Sequence, residues 1–179
     1  TALSLQSDPQ LTRLVDEAEQ LASGIGGTTL AFDIEGIKVF AKRVRLTDLE
    51  RRPEHQMSTA NIFELPTFCQ RNVGSAGFGV WRELAANAMT TSWVLSQQLE
   101  SFPLMYHWRV LEGAASAGAA PLPIELADIE GMVNYWDGSE AIGVRLKALA
   151  DATASVMIFL EYMPWNLSAW LEQQLAAGP

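Results

Sequence analysis

The first helical pattern in the chain runs from Pro9 to about Ala22. Asp8 precedes this stretch as a candidate N-cap, and Gly24 interrupts the pattern. Apolar side chains recur three and four positions apart, as on one face of an α-helix, at Leu11, Leu14, Val15 and Ala18. The pattern therefore predicts an amphipathic N-terminal helix.

Two strand patterns follow. Thr28 to Ile34 and Ile37 to Leu46 are rich in β-branched and aromatic residues, and Glu35-Gly36 separates them. A two-residue connection that contains Gly favours a tight β-hairpin. The next segment, 47–79, mixes charged residues with Pro and Gly and is longer than an ordinary loop. We interpret it as an ordered insertion with short elements of its own.

A long helical pattern extends from Trp81 to about Leu99 without Gly or Pro. It carries two adjacent apolar lines, which predicts a largely buried helix. Glu83 lies near its start. The run FPLMYHWRVL has the character of a strand, and GAASAGAAPLP after it predicts a flexible connection.

The last third of the chain combines a short helix, a strand and a final helix. A helix fits Ser139 to Ala152, with Asp137 as a candidate cap. Its inward-facing positions are Ile142, Leu146 and Leu149. SVMIFLEYM is an apolar run of strand length, and Pro164 predicts the start of the last helix. The order of elements predicts an α+β fold in which an antiparallel sheet packs on a long helix.

Bulk composition excludes several classes of protein. A length of 179 residues with 49% hydrophobic content supports one ordinary core. The formal net charge of -9 disfavours nucleic-acid binding, which needs a basic face. The single cysteine, Cys69, favours a small buried side chain in a reducing cytoplasm. We expect no membrane span, because no apolar stretch approaches about 20 residues.

Several polar residues have an ordinary interpretation. His55 and His107 have no Ser, Cys or acidic partner at a recognisable spacing, so neither a triad nor a metal site is predicted. Glu50 and its acidic neighbours lie among arginines, which is typical of a solvated charged loop. Three tryptophans fall on apolar helix faces and are predicted to lie in the core, namely Trp81, Trp93 and Trp170.

A lysine on a predicted strand and a glutamate on the long helix are the main candidates for chemistry. Lys42 lies in VFAKRV and Glu83 in VWREL. Alone, each has a simpler interpretation, as a surface lysine or as an acid favoured by the helix dipole. A glycine turn precedes these two residues in the chain, and two strands and FLEYMPWNLSAWL follow them. This order of elements resembles the N-terminal lobe of the protein-kinase fold, as in bacterial Ser/Thr kinases. The resemblance covers about Gly24 to Leu175.

The resemblance implies a catalytic pair. In that family a strand lysine in a Val-Ala-x-Lys setting reaches the α and β phosphates of ATP, and a helix glutamate holds the lysine in place. Lys42 and Glu83 would be these two residues, and we expect them to approach within ion-pair distance.

The resemblance also implies a nucleotide-binding surface around that pair. A phosphate-covering turn, which we expect between the N-terminal helix and the hairpin near Lys42, would comprise Gly24, Gly26, Gly27 and Thr28. In an adenine-binding hinge, backbone groups of Glu161 and Met163 would contact the base, and Leu160 would lie behind it. We expect residues 161–164 to be extended and partly exposed.

A second glycine set competes for the phosphate role. The spacing of Gly74, Gly77 and Gly79 is close to that of a phosphate-binding loop, but these glycines follow Lys42 in the chain. That is the wrong side for the family's loop, so we interpret them as the entry to the long helix. A second anion contact at that helix start is the alternative.

The predicted organisation has three parts. Residues 1–23 are an N-terminal helical segment, and residues 24–160 are a kinase-like N-lobe with insertions at about 47–79 and 113–154. Residues 161–179 are the hinge and the following helix, where a C-terminal lobe would begin.

The predicted function is that of an incomplete enzyme. The sequence lacks the His-x-Asp and Asp-Phe-Gly motifs that orient the phosphoryl acceptor and bind magnesium. We expect a nucleotide-binding fragment of a kinase-like phosphotransferase that takes ATP, with Mg²⁺ only in the complete enzyme. Its expected partners are a missing C-terminal lobe, a partner protein or a second copy at an exposed apolar face. The alternative is a non-catalytic interaction module with the shape of a kinase N-lobe.

Overall fold

Five β-strands form one open antiparallel sheet with the spatial order β1-β2-β3-β5-β4. The strands are β1 (Glu19–Gly24), β2 (Gly27–Ile34), β3 (Ile37–Leu46), β4 (Met105–Glu112) and β5 (Ala154–Glu161). The computed structural model describes residues 2–70, 77, 79–113, 123–165 and 167–177. Over these residues the fold class is α+β, as predicted.

Seven α-helices accompany the sheet in the described ranges. They are α1 (Asp8–Asp16), α2 (Asp48–Arg51), α3 (Val80–Leu95), α4 (Ile124–Ala127), α5 (Ile129–Tyr135), α6 (Glu140–Ala150) and α7 (Leu167–Ala177). Short 3-10 helices cover Ala2–Leu5, Pro53–His55 and Thr67–Gln70. No helix among the described residues has both the length and the apolar character needed to cross a membrane.

The predicted hairpin is confirmed. Ile34 and Ile37 are partners across the turn, and β2 and β3 pair continuously back to Thr28 and Arg43. Both turn residues have left-handed backbone angles, with φ of 52° at Glu35 and 78° at Gly36. A two-residue turn of this hand matches the twist of the flanking strands, which is why the short connection is stable.

The two faces of the sheet bury different neighbours. One face packs on α1 and the N-terminal 3-10 helix, in a core that includes Leu11, Val15, Val39 and Phe159. The other packs on the start of α3, in a core that includes Val44, Trp81, Leu84 and Ile158. Successive strand residues alternate between the two cores, as the pleat requires. The sheet is therefore the central layer between two helical layers.

A third core joins the two segments predicted as insertions. Leu65 and Cys69 from the first segment are buried against Leu126, Trp136, Ile142, Leu146 and Leu149 from the second. The inward positions predicted for α6 are thus confirmed. The N-cap of α6 is Ser139 rather than Asp137, since Asp137 has a φ of 60° and lies in the preceding turn.

The prediction for the N-terminal helix is wrong at both ends. Its N-cap is Ser7, which forms a capping box with Gln10, and the helix ends at Asp16. Residues from Glu19 instead form the edge strand β1, which pairs antiparallel with β2. Leu21, the next large apolar residue after Val15, is exposed, so no buried helix face continues beyond Val15. Backbone pairing with the hairpin therefore decides the conformation of this stretch.

The long helix is shorter and far less buried than predicted. Helix α3 ends at Leu95, and its buried residues are Val80, Trp81 and Leu84. Leu95 at its far end is 71% exposed. Most hydroxyl groups farther along bond to carbonyls of the helix itself, as Thr90 does to Ala86 at 3.0 Å, whereas Thr91 accepts the backbone N–H of Met105 at the start of β4. The far half is therefore partly solvated and has no fully buried side chain.

The last helix begins later than predicted. Pro164 lies in a bend, and α7 starts at Leu167. Trp170 is half-exposed, so the prediction that it lies in the core is wrong. Trp93 is partly buried against Phe102, whereas Trp81 is buried as predicted.

Candidate functional site

The predicted ion pair is present. Lys42 Nζ lies 2.6 Å from Glu83 Oε1, with side-chain exposures of 25% and 23%. Lys42 projects from β3 on the face that packs against α3, because it alternates with Ala41 and Arg43, which face α1. Both charges are thus ordered but still accessible to a ligand from solvent.

Helix α3 is held against the sheet by its first turn. Trp81 is buried and packs edge-to-face on Trp108 of β4, with ring centroids 6.3 Å apart. Its indole Nε1–H donates a hydrogen bond of 2.9 Å to the backbone oxygen of Glu50. Glu83 follows two positions later, so these contacts fix the direction in which its carboxylate extends.

The predicted glycine turn lies beside Lys42. It connects β1 to β2, rather than a helix to the hairpin as predicted, because residues 19–24 form a strand. A Cβ at Gly26 would lie 3.8 Å from Lys42 Nζ. Gly27 has a φ of +115°, and a Cβ there would clash with the backbone of Arg43 and Val44. Glycine at position 27 therefore allows the turn to approach β3.

The remaining predicted turn residues have separate positions. Gly24 ends β1, pairs with Gly27 and has open space where a Cβ would project. Thr28 Oγ1 lies 3.3 Å from Ser23 Oγ, within hydrogen-bond distance across β1 and β2. Thr28 thus closes the base of the turn, and its hydroxyl is engaged within it.

The predicted hinge is partly exposed, as expected, but it is extended as a strand only at Glu161, since residues 162–163 have no regular structure and Pro164 lies in a bend. Leu160 is buried at the end of β5, on the same face as Lys42. The backbone N–H of Glu161 donates a bond of 2.8 Å to Leu104 O, and its carboxylate accepts from Leu104 N–H at 3.2 Å. Met163 is exposed. The chain from 162 to 165 is non-helical.

Phe40 departs from the pattern of the family that the sequence resembles. Val-Ala-x-Lys places Ala two residues before the lysine, and here that residue is Phe40. It pairs with Leu160 across β3 and β5, and both pack in the α3-side core. Ala41 lies on the opposite face. The space between Lys42 and the hinge is therefore narrowed by an aromatic ring.

One glycine of the second set lies at the start of α3. Gly79 is the N-cap of α3, with an extended backbone and a φ of -78°, so its predicted role as helix entry is confirmed. Gly77 lies in a turn, and Gly74 lies outside the described residues. The proposed second anion contact remains a prediction.

The surroundings of Glu50 contradict the interpretation that this residue lies in a solvated charged loop. It is not solvated, because its side chain is 3% exposed and its Oε2 lies 3.0 Å from Nη1 of Arg145, which is also 3% exposed. Thr47 Oγ1–H donates a hydrogen bond of 2.7 Å to the same oxygen. The sequence contains a signal for this ordered position of Glu50, since Thr47-x-x-Glu50 has the spacing of a helix capping box.

His107 and Cys69 are two further described residues whose titration is perturbed by burial, one in the sheet and one in the third core. No group of three or more His, Cys, Asp or Glu able to hold a metal occurs in the described part of the chain. Burial lowers the pKa of His107, with a smaller contribution from Arg109, and the imidazole stacks on Phe159. Burial raises the pKa of the Cys69 thiol. Cys69 belongs to the third core, and His107 is partly buried beside Phe159.

Comparison with protein-family models and with curated proteins finds no match for this sequence. The case for a function therefore depends on the geometry of the chain itself.

Proposed function

We propose that this chain is the nucleotide-binding N-lobe and hinge of a bacterial, cytoplasmic, kinase-like phosphotransferase. The observation that carries the proposal is the ion pair between Lys42 and Glu83, at 2.6 Å, beside a glycine turn. The element order supports it, since two strands joined by that turn precede the lysine strand, and the glutamate helix and two further strands follow.

The pair suits a phosphate ligand. An ammonium is a compact charge that neutralises phosphate oxygens, but its four-carbon stem is flexible. Glu83 orders it at the sheet surface, and Gly26 leaves room for phosphate groups beside it. In this proposal Lys42 contacts the α and β phosphates of ATP, while Glu83 restricts Lys42 to the orientation that makes those contacts.

The hinge supplies the base contacts in this proposal. Backbone groups of Glu161 and Met163 meet the adenine edge, and Leu160 packs behind the ring. Phe40 narrows this space, and half of the cleft is open without a second lobe. We therefore expect an affinity of about 1 mM, equivalent to about -4 kcal/mol.

The chain alone is not expected to transfer phosphate. Phosphoryl transfer depends on positioning and electrostatic stabilisation by magnesium ligands and an acceptor-orienting aspartate. The sequence does not contain the motifs that supply them. We propose that a C-terminal lobe, joined to this chain or supplied by another, brings these groups and the Mg²⁺ they bind.

An exposed apolar surface follows the hinge and supports a missing partner. We define the C-terminal apolar surface as Met163, Trp165, Trp170, Leu171 and Leu175, all of them more than 40% exposed. These residues lie within one short stretch of the chain, and a concentration of large exposed apolar side chains favours an interface. We propose that a C-terminal lobe covers this surface in the complete protein, and that in its absence self-association does so.

Phe40 favours a second candidate function, a non-catalytic interaction module with the shape of a kinase N-lobe. An aromatic ring on the Lys42 face, paired with Leu160, reduces the room for a base. In that case the Lys42–Glu83 pair is structural, and binding to a partner does not depend on Lys42.

Titration of ATP, with and without magnesium, by NMR separates the two functions. We expect shifts at the glycine turn, at Lys42 and at residues 161–163, and Lys42→Ala should weaken binding at least about tenfold, the loss of one charge-assisted contact. Lys147→Ala is the charge-matched control, because Lys147 is exposed on α6, and it should leave the affinity unchanged.

Two results would reject the nucleotide proposal. One is the absence of any shift at 10-fold the expected dissociation constant, and the other is an affinity that is the same in Lys42→Ala. Magnesium-dependent transfer of radiolabel by the purified chain, lost in Lys42→Ala, would instead show that the chain is a complete enzyme.

A further inference from the structure

A buried ion pair joins the two inserted segments behind the candidate site. Glu50 lies on α2, in the segment between β3 and α3, and Arg145 lies on α6, in the segment between β4 and β5. Both side chains are almost completely buried. Their contact is an ion pair by distance and not a well-aligned hydrogen bond, because Arg145 Nη1 has no hydrogen-bond partner of good geometry among the described residues. Each charge is tolerated there because the other neutralises it, which couples the two positions.

Glu50 is fixed by several contacts besides Arg145. Its Oε2 accepts hydrogen bonds from the hydroxyl of Thr47 at 2.7 Å and from the backbone N–H of Thr47 at 3.1 Å. The guanidinium of Arg145 lies over the ring of Phe63, with 4.7 Å between its central carbon and the ring centroid. The pair is thus held from both sides by the insertions.

The same glutamate contacts the start of α3. Its backbone oxygen accepts the indole N–H of Trp81 at 2.9 Å, and a Cβ on Gly79 would lie 3.2 Å from its Oε1. Gly79 is the N-cap of α3, and a carboxylate near a helix N-terminus is stabilised by the helix dipole.

Glu83 lies one turn from these contacts. Its backbone N–H donates to Gly79 O at 3.2 Å, so a displacement of Gly79 or Trp81 moves Glu83 with it. The far half of α3 buries no side chain completely, and its contacts are the hydrogen bond from Met105 N–H to Thr91 and the packing of Trp93 on Phe102. The first turn therefore contributes the buried contacts of the helix.

We propose that Glu50 and Arg145 are positioning residues for the Lys42–Glu83 pair. Through Gly79 and Trp81 they fix the first turn of α3, and this sets the distance between the Glu83 carboxylate and the Lys42 ammonium. The expected effect on nucleotide binding rests on the proposed function, whereas the expected effect on the Lys42–Glu83 distance does not.

The first test follows the ion pair directly, without nucleotide. We expect the ammonium of Lys42 to give an NMR signal that is protected from solvent exchange by its 2.6 Å contact with Glu83. We expect exchange at Lys42 to become about tenfold faster in Arg145→Met, a change typical of coupled neighbours. Arg109→Met is the control, because Arg109 pairs with Asp8 at 2.6 Å on the opposite face of the sheet.

Two further variants keep this test decisive if Arg145→Met folds poorly. The double variant E50Q/R145M removes both charges and leaves no unpaired one, and Trp81→Phe removes the hydrogen bond to Glu50 O together with part of the ring that packs on Trp108. Both should accelerate exchange at Lys42 while the remaining spectrum stays native. Wild-type exchange at Lys42 in a folded double variant would overturn the proposal.

The second test uses ATP. Arg145→Met should weaken ATP binding by the same factor as Glu83→Gln, and adding it to Glu83→Gln should weaken binding no further, because it acts through Glu83. Multiplicative effects of the two substitutions would overturn the positioning role. If the wild-type chain binds no ATP, the proposed function fails, and the exchange measurement still decides whether the buried pair positions Glu83.

Discussion

Replacing Gly27 by alanine tests the geometry of the glycine turn most sharply. At its φ of +115° an L side chain is strained by about 1–3 kcal/mol. The added Cβ would also clash with the carbonyl of Arg43 and lie 3.3 Å from Val44 Cα. Relief requires β2 and β3 to separate locally, at a cost typical of overpacking, about 1–3 kcal/mol. We expect Gly27→Ala to lower the free energy of unfolding by about 4 kcal/mol.

The two neighbouring glycines provide matched controls. Neither Gly24 nor Gly26 has a positive φ, and a Cβ would meet open space at Gly24 and make an ordinary 3.8 Å contact with Lys42 Nζ at Gly26. Alanine at either position should change stability by less than about 1 kcal/mol. Only Gly26→Ala should also affect a ligand of Lys42, because its methyl group occupies space beside the ammonium.

Urea denaturation followed by tryptophan fluorescence measures these differences. With a slope of about 2 kcal/mol/M, the midpoint of Gly27→Ala should fall by about 2 M, and those of the two controls should move little. Equal midpoints for the Gly24 and Gly27 variants would refute the close approach of the turn to β3.

Three other predictions concern buried groups. Arg145→Met should lower the free energy of unfolding by about 3–5 kcal/mol, because it leaves the Glu50 charge buried and unpaired, and E50Q/R145M should cost less, as urea melts of both variants would reveal. Burial and Arg109 depress the pKa of His107 in the folded state, so stability should fall as the pH drops from about 6.5 towards that lower pKa, and His107→Gln should flatten this part of the profile. Cys69 is fully buried with a raised pKa, so a thiol reagent should modify it only as fast as the chain opens, and the rate should rise with urea.

Local patterns predicted the elements whose signals do not depend on distant partners. The β2–β3 hairpin was predictable, because Glu35-Gly36 specifies a tight turn and the flanking residues favour strands. The inward face of α6 was predictable from helical spacing alone. The Lys42–Glu83 contact was predictable because the resemblance to a known family supplied the long-range pairing that spacing does not give.

The misjudged elements depend on tertiary contacts. The sequence pattern predicts the end of a helix where strand β1 lies, because the exposed strand residues have no strand pattern and only the ladder with β2 determines their conformation. It predicts Glu50 as a surface acid, because its partner Arg145 is 95 positions away in another segment of the chain. It predicts the far half of α3 as core, because an apolar line does not reveal where the sheet ends.

Labelling with an acylating ATP analogue, whose phosphate group delivers an acyl group to a nearby lysine, tests the central claim most directly. The chain has three lysines, Lys38, Lys42 and Lys147, so peptide mass spectrometry resolves every acceptor. The account predicts selective acylation of Lys42, suppressed by excess ATP and reduced in Glu83→Gln, because that variant binds nucleotide more weakly. Labelling of Lys38 and Lys147 to the same extent as Lys42, with no protection by ATP, would contradict it.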